Sequence, residues 1–196
     1  MNLRLSPPLL EVSPELLWVL SRAVAPAGAW TSPPVDPRQA WRLARALDIA
    51  CRIGWGVPRS QLVAEVGEEI ANCFVSAYHD AAASAMVINA VAVEVAERLQ
   101  RAGVPVVLLK ANALALAGFT QLGARRFTDV DLLVPLGQAH EARALLLGVG
   151  YSGVNRWDGA HQLSAVYHPS RVMVEIHTHV KHMRLARGGG WASFED

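Results

Sequence analysis

The sequence predicts an α+β protein in which a helical N-terminal region packs on a small α/β core with a mixed sheet. Helix-start signals and helical apolar spacing dominate the first hundred residues, short valine-rich runs begin at Val104, and these runs then alternate with helical segments. We expect a helical region over 1–102, the sheet-containing core over 103–180, and a tail over 181–196 that suggests a truncated C-terminus.

Helix starts in the first region are marked by a capping side chain followed by proline. Ser13-Pro14 and Asp36-Pro37 each place an N-cap residue before a proline at the first helical position. The second start opens a single predicted helix that ends near Gly54. A third helix is predicted over 60–77, and a fourth over 88–99, where apolar residues recur at helical spacing.

The core is predicted from short apolar runs separated by turns. VPVVLL is typical of a buried strand, and DVDLLV of a second one. The last two runs are joined through Pro169-Ser170, which predicts a hairpin. The predicted elements are strands over 104–109, 129–134, 162–168 and 171–179, with helices over 111–118 and 138–150.

Composition narrows the function classes. Hydrophobic residues make up 52% and charged residues 18%, which is a globular composition, and the net charge is +1. That balance argues against a protein dominated by phosphate-backbone binding, although local nucleotide or nucleic-acid binding stays open. We find no membrane segment and no signal peptide, and we expect a cytoplasmic protein. Cys51 and Cys73 lack partners at metal-ligand spacing, so we expect reduced thiols.

Two acids one residue apart are the strongest chemical signal. In a strand, Asp129 and Asp131 point to one face while Val130 and Leu132 point into the core. Paired carboxylates need a cation between them, and Mg²⁺ prefers such oxygen ligands. Glu175, mid-strand among apolar residues, is the best third acid for a two-metal site. An edge strand with a solvated acidic face is the alternative explanation of the pattern.

A wider set of residues accompanies the acids in a fixed order. It consists of Lys110 after VVLL, Gly123 and Arg125 before the acids, the Asp129–Asp131 pair, Gly150-Tyr151, His161 and the VEIH run with Glu175 and His177. This combination, over about residues 90–179, resembles the minimal nucleotidyltransferases of the DNA polymerase β superfamily. It is most similar to a bacterial branch described only as uncharacterised nucleotidyltransferases.

The resemblance implies transfer of a nucleoside monophosphate from an NTP such as ATP to an acceptor hydroxyl, with release of pyrophosphate. Asp129, Asp131 and Glu175 are then expected to be the catalytic, metal-binding residues, with Mg²⁺ or Mn²⁺ as cofactor. Lys110 and Arg125 are expected to contact the triphosphate, and His177, on the strand face of Glu175, to contact phosphate or support the acids.

Two other functions remain open. The first is a catalytically degenerate module that binds nucleotide or a protein partner without turnover, which Ala111 favours because that branch has glycine after the lysine. The second is a zinc hydrolase built from the histidine-rich region, namely His161, His168, His177, His179 and His182. The acceptor, the NTP used and the oligomeric state do not follow from the sequence.

Overall fold

The computed structural model describes residues 12–25, 32–153, 162–184 and 191–193, with side chains described up to Val180. The α+β class predicted from the sequence is confirmed. No helix among the described residues has the length and apolar character needed to cross a membrane. The elements are α1 (Pro14–Val24), α2 (Pro37–Ala46), α3 (Ala50–Gly56), α4 (Arg59–Arg101), β1 (Val107–Leu108), α5 (Lys110–Leu116), β2 (Asp129–Leu133), α6 (Ala139–Gly148), β3 (Ser152–Gly153), β4 (Val166–Tyr167), β5 (Met173–His177), β6 (His179–Arg184) and β7 (Trp191–Ser193).

Backbone contacts group the chain into two compact units. The first contains the chain up to Asp80 together with Gly123–Arg125, and the second contains Ala81–Leu122 and the chain from Arg126 onward. The division falls inside α4. The three regions expected from the sequence, 1–102, 103–180 and 181–196, stay predictions.

Both capping signals of the first unit act as predicted. Ser13 Oγ accepts a hydrogen bond from the backbone N–H of Leu16, and Asp36 Oδ1 accepts one from Gln39. The prediction of one helix after Asp36 was wrong. Asp48 adopts a positive φ of 55° and separates α2 from α3, since a short polar side chain tolerates this conformation better than most.

The third and fourth predicted helices are one element. α4 spans Arg59–Arg101 as two helices that meet at a kink at Gly67, where φ is 77° and ψ is 163°, and it has no break between 77 and 88. The stretch 78–87 continues the helix because it is rich in alanine and contains neither glycine nor proline. A pause in apolar periodicity without a proline or a glycine therefore does not end this helix.

Five strands form one mixed sheet in the second unit, in the order β1-β2-β5-β4-β3. β2 and β5 pair in parallel, and the other pairs are antiparallel. The predicted hairpin is confirmed by the antiparallel pairing of β4 with β5. The first predicted strand was too long, since only Val107 and Leu108 pair within 104–109. The tail adds a two-stranded sheet, β6-β7, that the sequence did not predict.

The core of the second unit explains which face of the sheet is polar. Val130 and Leu132 of β2 and Val174 and Ile176 of β5 are fully buried, in one cluster with Leu99 of α4. Because strand side chains alternate, the residues between these four must point to the opposite face. The apolar packing of β2 and β5 therefore fixes the orientation of the acids.

Candidate metal and nucleotide site

The parallel pairing of β2 and β5 brings the polar residues of the two strands side by side. Asp131 lies opposite Glu175, and Leu133 lies opposite His177. On the other edge of β5, His177 forms an isolated antiparallel bridge with Gln162. Its carbonyl oxygen accepts a hydrogen bond of 3.0 Å from the N–H of Val134. The backbone under the site is therefore fixed from both sides.

Asp131 is the centre of the cluster. Its Oδ1 accepts a hydrogen bond of 2.6 Å from Lys110 Nζ and lies 2.8 Å from His177 Nε2. His177 Nε2 also lies 3.4 Å from Glu175 Oε2. The side chains of Asp131 and His177 are only 3% and 6% exposed, whereas that of Lys110 is 54% exposed. A buried carboxylate thus contacts one nearly buried imidazole and one accessible ammonium group.

The backbone conformation of Lys110 places its side chain beside Asp131. Its φ is 52°, which turns the chain sharply between β1 and α5. Just before it, the N–H of Leu109 donates to the carbonyl oxygen of Asp131 at 2.9 Å. The buried side chain of Asn112 then donates to Asn89 on α4 at 3.0 Å and anchors the short helix. Lys110 therefore begins its helix directly beside β2.

The charges of the cluster reinforce one another. Burial acts to raise the pKa of Asp131, but the hydrogen bonds from His177 and Lys110 outweigh it and hold that pKa below its ordinary value. Burial likewise acts to lower the pKa of Lys110, yet the hydrogen bond to Asp131 and the charges of Asp131, Asp129 and Glu175 raise it. All three acids therefore act on the same ammonium group.

The donor set fits a divalent cation. One ligand atom each from Asp131, Glu175 and His177 lie within 4.8 Å of one another. Carboxylate oxygens suit Mg²⁺ and Mn²⁺, and imidazole suits transition-metal ions. Asp129 is not part of this group. It begins β2, is half-buried, and its Oδ1 accepts a hydrogen bond of 2.8 Å from Thr128 Oγ1.

The other histidines do not join the cluster where their side chains are described. His168 Nδ1 lies 2.6 Å from Ser170 Oγ, and its Nε2 lies 3.5 Å from Glu94 Oε2. His179 Nδ1 lies 3.0 Å from Thr178 Oγ1. His161 and the side chain of His182 lie outside the described residues. Within the described part, the histidine-rich region therefore contributes His177 alone to the metal-ligand group.

The arginines before β2 are exposed. Arg125 belongs to the first compact unit, and Arg126 to the second. A triphosphate contact by Arg125 therefore stays a prediction. Sequence reasoning missed the contacts of Thr128 and Asn112. A hydroxyl residue directly before the acid pair is the only sequence signal for the first, and nothing in the sequence marks the second.

The mixed sheet and its carboxylate–imidazole–ammonium cluster define an α+β protein with a polar centre suited to cations and phosphates. A family model described as uncharacterised nucleotidyltransferase matches residues 33–187. The chain belongs to this family of uncharacterised nucleotidyltransferases, which makes it a transferase by family. Comparisons with curated proteins and with solved structures gave no match.

Proposed function

We propose that this protein is a metal-dependent nucleotidyltransferase of the DNA polymerase β-like superfamily, from its bacterial branch, and that it moves a nucleoside monophosphate from an NTP to an acceptor hydroxyl. One observation carries the proposal. The parallel register of β2 and β5 sets Asp131 beside Glu175, and Lys110 contacts the same carboxylate. The family membership supports nucleotidyl transfer in general. Cys51 and Cys73 form no disulfide, which agrees with a cytoplasmic location, where NTP is available.

Each residue has a distinct part in the proposed reaction. Asp129, Asp131 and Glu175 hold Mg²⁺ or Mn²⁺, which when bound supplies positive charge to the reacting phosphate. The hydroxyl oxygen of the acceptor attacks the α-phosphorus, the bond to the β-phosphate oxygen breaks, and pyrophosphate leaves. Glu175 is the more exposed of the two paired carboxylates, at 19% against 3%, and we assign it to receive the hydroxyl proton.

The basic residues bind the triphosphate in this scheme. Lys110 is half-exposed and its ammonium group turns from Asp131 to phosphate when nucleotide arrives. Arg125, exposed in the loop before β2, adds a bidentate contact. His177 is nearly buried, and its Nε2 faces the Asp131 carboxylate from the neighbouring strand.

The first experiment measures nucleotide binding. Wild-type protein is titrated calorimetrically with non-hydrolysable ATP and GTP analogues, with and without Mg²⁺, beside the double variant Asp129→Asn/Asp131→Asn. Glu141→Gln, an exposed acid on α6, is the matched control for loss of a carboxylate. We expect metal-dependent binding by wild type and control only. Equal binding by all three proteins, or no binding by folded wild type, refutes the metal–triphosphate role.

Turnover separates the enzyme from a binding module. An NTP labelled at the α-phosphate is incubated with protein and a panel of hydroxyl acceptors, and label transfer and pyrophosphate release are both measured. Transfer that disappears in Glu175→Gln supports the enzyme. Metal-dependent binding without transfer or pyrophosphate release favours the degenerate module instead, and Ala111→Gly then tests whether the alanine after Lys110 is responsible.

A further inference from the structure

The position of His177 raises the question of whether its Nε2 also binds the cation that the carboxylates hold. Asp131 has two polar partners, and they differ in freedom: Lys110 is 54% exposed, whereas His177 is 6% exposed. The accessible lysine is free to leave Asp131 when a cation approaches. The imidazole is nearly buried, and the backbone of His177 is held by pairing with Leu133 on one side and by a bridge to Gln162 on the other. A cation bound to Asp131 and Glu175 therefore meets His177 Nε2.

The spacing of the three side chains matches that of ligands on one ion. His177 Nε2 lies 2.8 Å from Asp131 Oδ1 and 3.4 Å from Glu175 Oε2. With metal–ligand bonds of about 2.1 Å, neighbouring ligands lie about 3.0 Å apart in an octahedron and about 3.4 Å apart in a tetrahedron. The observed separations bracket these values. A cation takes this place when the Lys110 ammonium group leaves Asp131 and the neutral imidazole carries its proton on Nδ1, which frees the Nε2 lone pair for the cation.

Asp129, by contrast, lies outside this group. Its carboxylate is engaged with Thr128 Oγ1, and it does not share the close spacing of the other three side chains. Asp129 lies two residues before Asp131 on β2. Its neighbour on β5 is Met173, which is neither an acid nor a histidine. The nearest third donor for a cation on Asp131 and Glu175 is therefore an imidazole nitrogen.

We propose that one cation site of this protein is formed by Asp131, Glu175 and His177, with His177 Nε2 as a direct ligand, and that it selects a first-row transition-metal ion over Mg²⁺. The proposal rests on the proposed function and adds the identity of the cation class. Mg²⁺ prefers oxygen ligands and keeps its waters, whereas imidazole raises affinity for transition-metal ions. Asp129 is then needed for nucleotide turnover but not for this cation.

The test uses Mn²⁺ as a spectroscopic probe in the full-length protein without nucleotide. Pulsed electron paramagnetic resonance detects the nuclear modulation of a nitrogen bound directly to Mn²⁺. We expect this signal in wild type and in Asp129→Asn, and its loss in His177→Gln. His168→Gln, the same substitution at a histidine outside the group, is the matched control. Labelling the histidines of the wild-type protein with the heavy nitrogen isotope should change this signal. This test does not depend on the folding of any variant.

Affinities give a second readout. His177→Gln should weaken Mn²⁺ binding by about tenfold or more, with a smaller effect on Mg²⁺, so that Mg²⁺ displaces Mn²⁺ more readily than in wild type. Mn²⁺ bound without a nitrogen signal, and lost in Asp129→Asn, overturns this inference and leaves the three-carboxylate site standing. Absence of any cation binding by folded wild type removes both this inference and the proposed function.

Discussion

Replacing Lys110 with methionine should separate nucleotide binding from stability. The ammonium group lies 2.6 Å from Asp131 Oδ1, but its side chain is 54% exposed, so solvent screens the pair. Lys110 is the accessible partner of a buried carboxylate, so its removal should cost about 1 kcal/mol of unfolding free energy, the upper end of the range for exposed ion pairs. Asp131 also keeps His177 Nε2 at 2.8 Å in the variant. For a chain of this size, the unfolding temperature should fall by no more than about 4 °C.

The effect on nucleotide affinity should be much larger. If Lys110 donates a charge-assisted hydrogen bond to the triphosphate, its loss removes about 1.5–3 kcal/mol of binding free energy. The dissociation constant for a non-hydrolysable NTP should therefore rise by about 10- to 150-fold. Calorimetric titration in saturating Mg²⁺ measures this, and Lys110→Arg, which keeps the charge, should lose less.

Arg101→Met is the matched control for the lysine. Arg101 pairs with Glu97 at 2.8 Å on α4 and is 70% exposed, so its removal also deletes one accessible cation from a carboxylate. We expect its nucleotide affinity to equal that of wild type. An unchanged affinity in Lys110→Met, or an equal loss in Arg101→Met, would refute the triphosphate role of Lys110.

Three further perturbations test the charge of Asp131 and the packing within each of the two units. In metal-free protein the folded-state pKa of Asp131 is depressed, so its stabilisation is present above the unfolded carboxyl pKa and is lost as the pH falls below about 4. The difference in unfolding temperature between wild type and Asp131→Asn should shrink over that interval, and a constant difference would contradict it. Gly54→Ala should cost about 1–3 kcal/mol in urea unfolding, because the new Cβ overlaps the backbone carbonyl of Phe74; Gly148→Ala, with open space around it, should be neutral or stabilising. Leu132→Ala should cost about 2–5 kcal/mol, since this side chain is fully buried beneath the acids, and a loss under 1 kcal/mol would place it outside the core.

Local chemistry accounts for what the sequence predicted correctly. Ser13 and Asp36 cap helices because their side chains reach a backbone N–H within the same turn, which depends on no distant residue. The burial of Val130 and Leu132, with the acids on the other face, follows from strand alternation alone. The strand carrying Glu175 and the hairpin before it were also predictable, because an apolar run and a Pro169-Ser170 turn are local signals.

The sequence was less informative where two local signals compete. A helical pattern continues past Asp48, yet the chain takes a positive φ there and starts a new helix. The N–H groups of Asp48 and Ile49 donate to Arg45 and Ala44, which closes α2. Apolar periodicity describes both arrangements equally well, so packing decides between them. In α4 the sequence predicted a break that the structure does not contain, because an alanine-rich stretch continues the helix.

The sequence by itself determined the α+β class, the polar face of β2 and the acids that it carries. Only the tertiary structure decided which of those acids meets which partner. Asp131 contacts His177 across 46 positions of sequence, through the parallel register of two strands that no turn connects. Register between such strands depends on the packing of both buried faces at once, and on side chains far apart in the chain. That is why Asp129 and Asp131 look equivalent in the sequence, whereas in the fold only Asp131 lies beside Glu175 and His177.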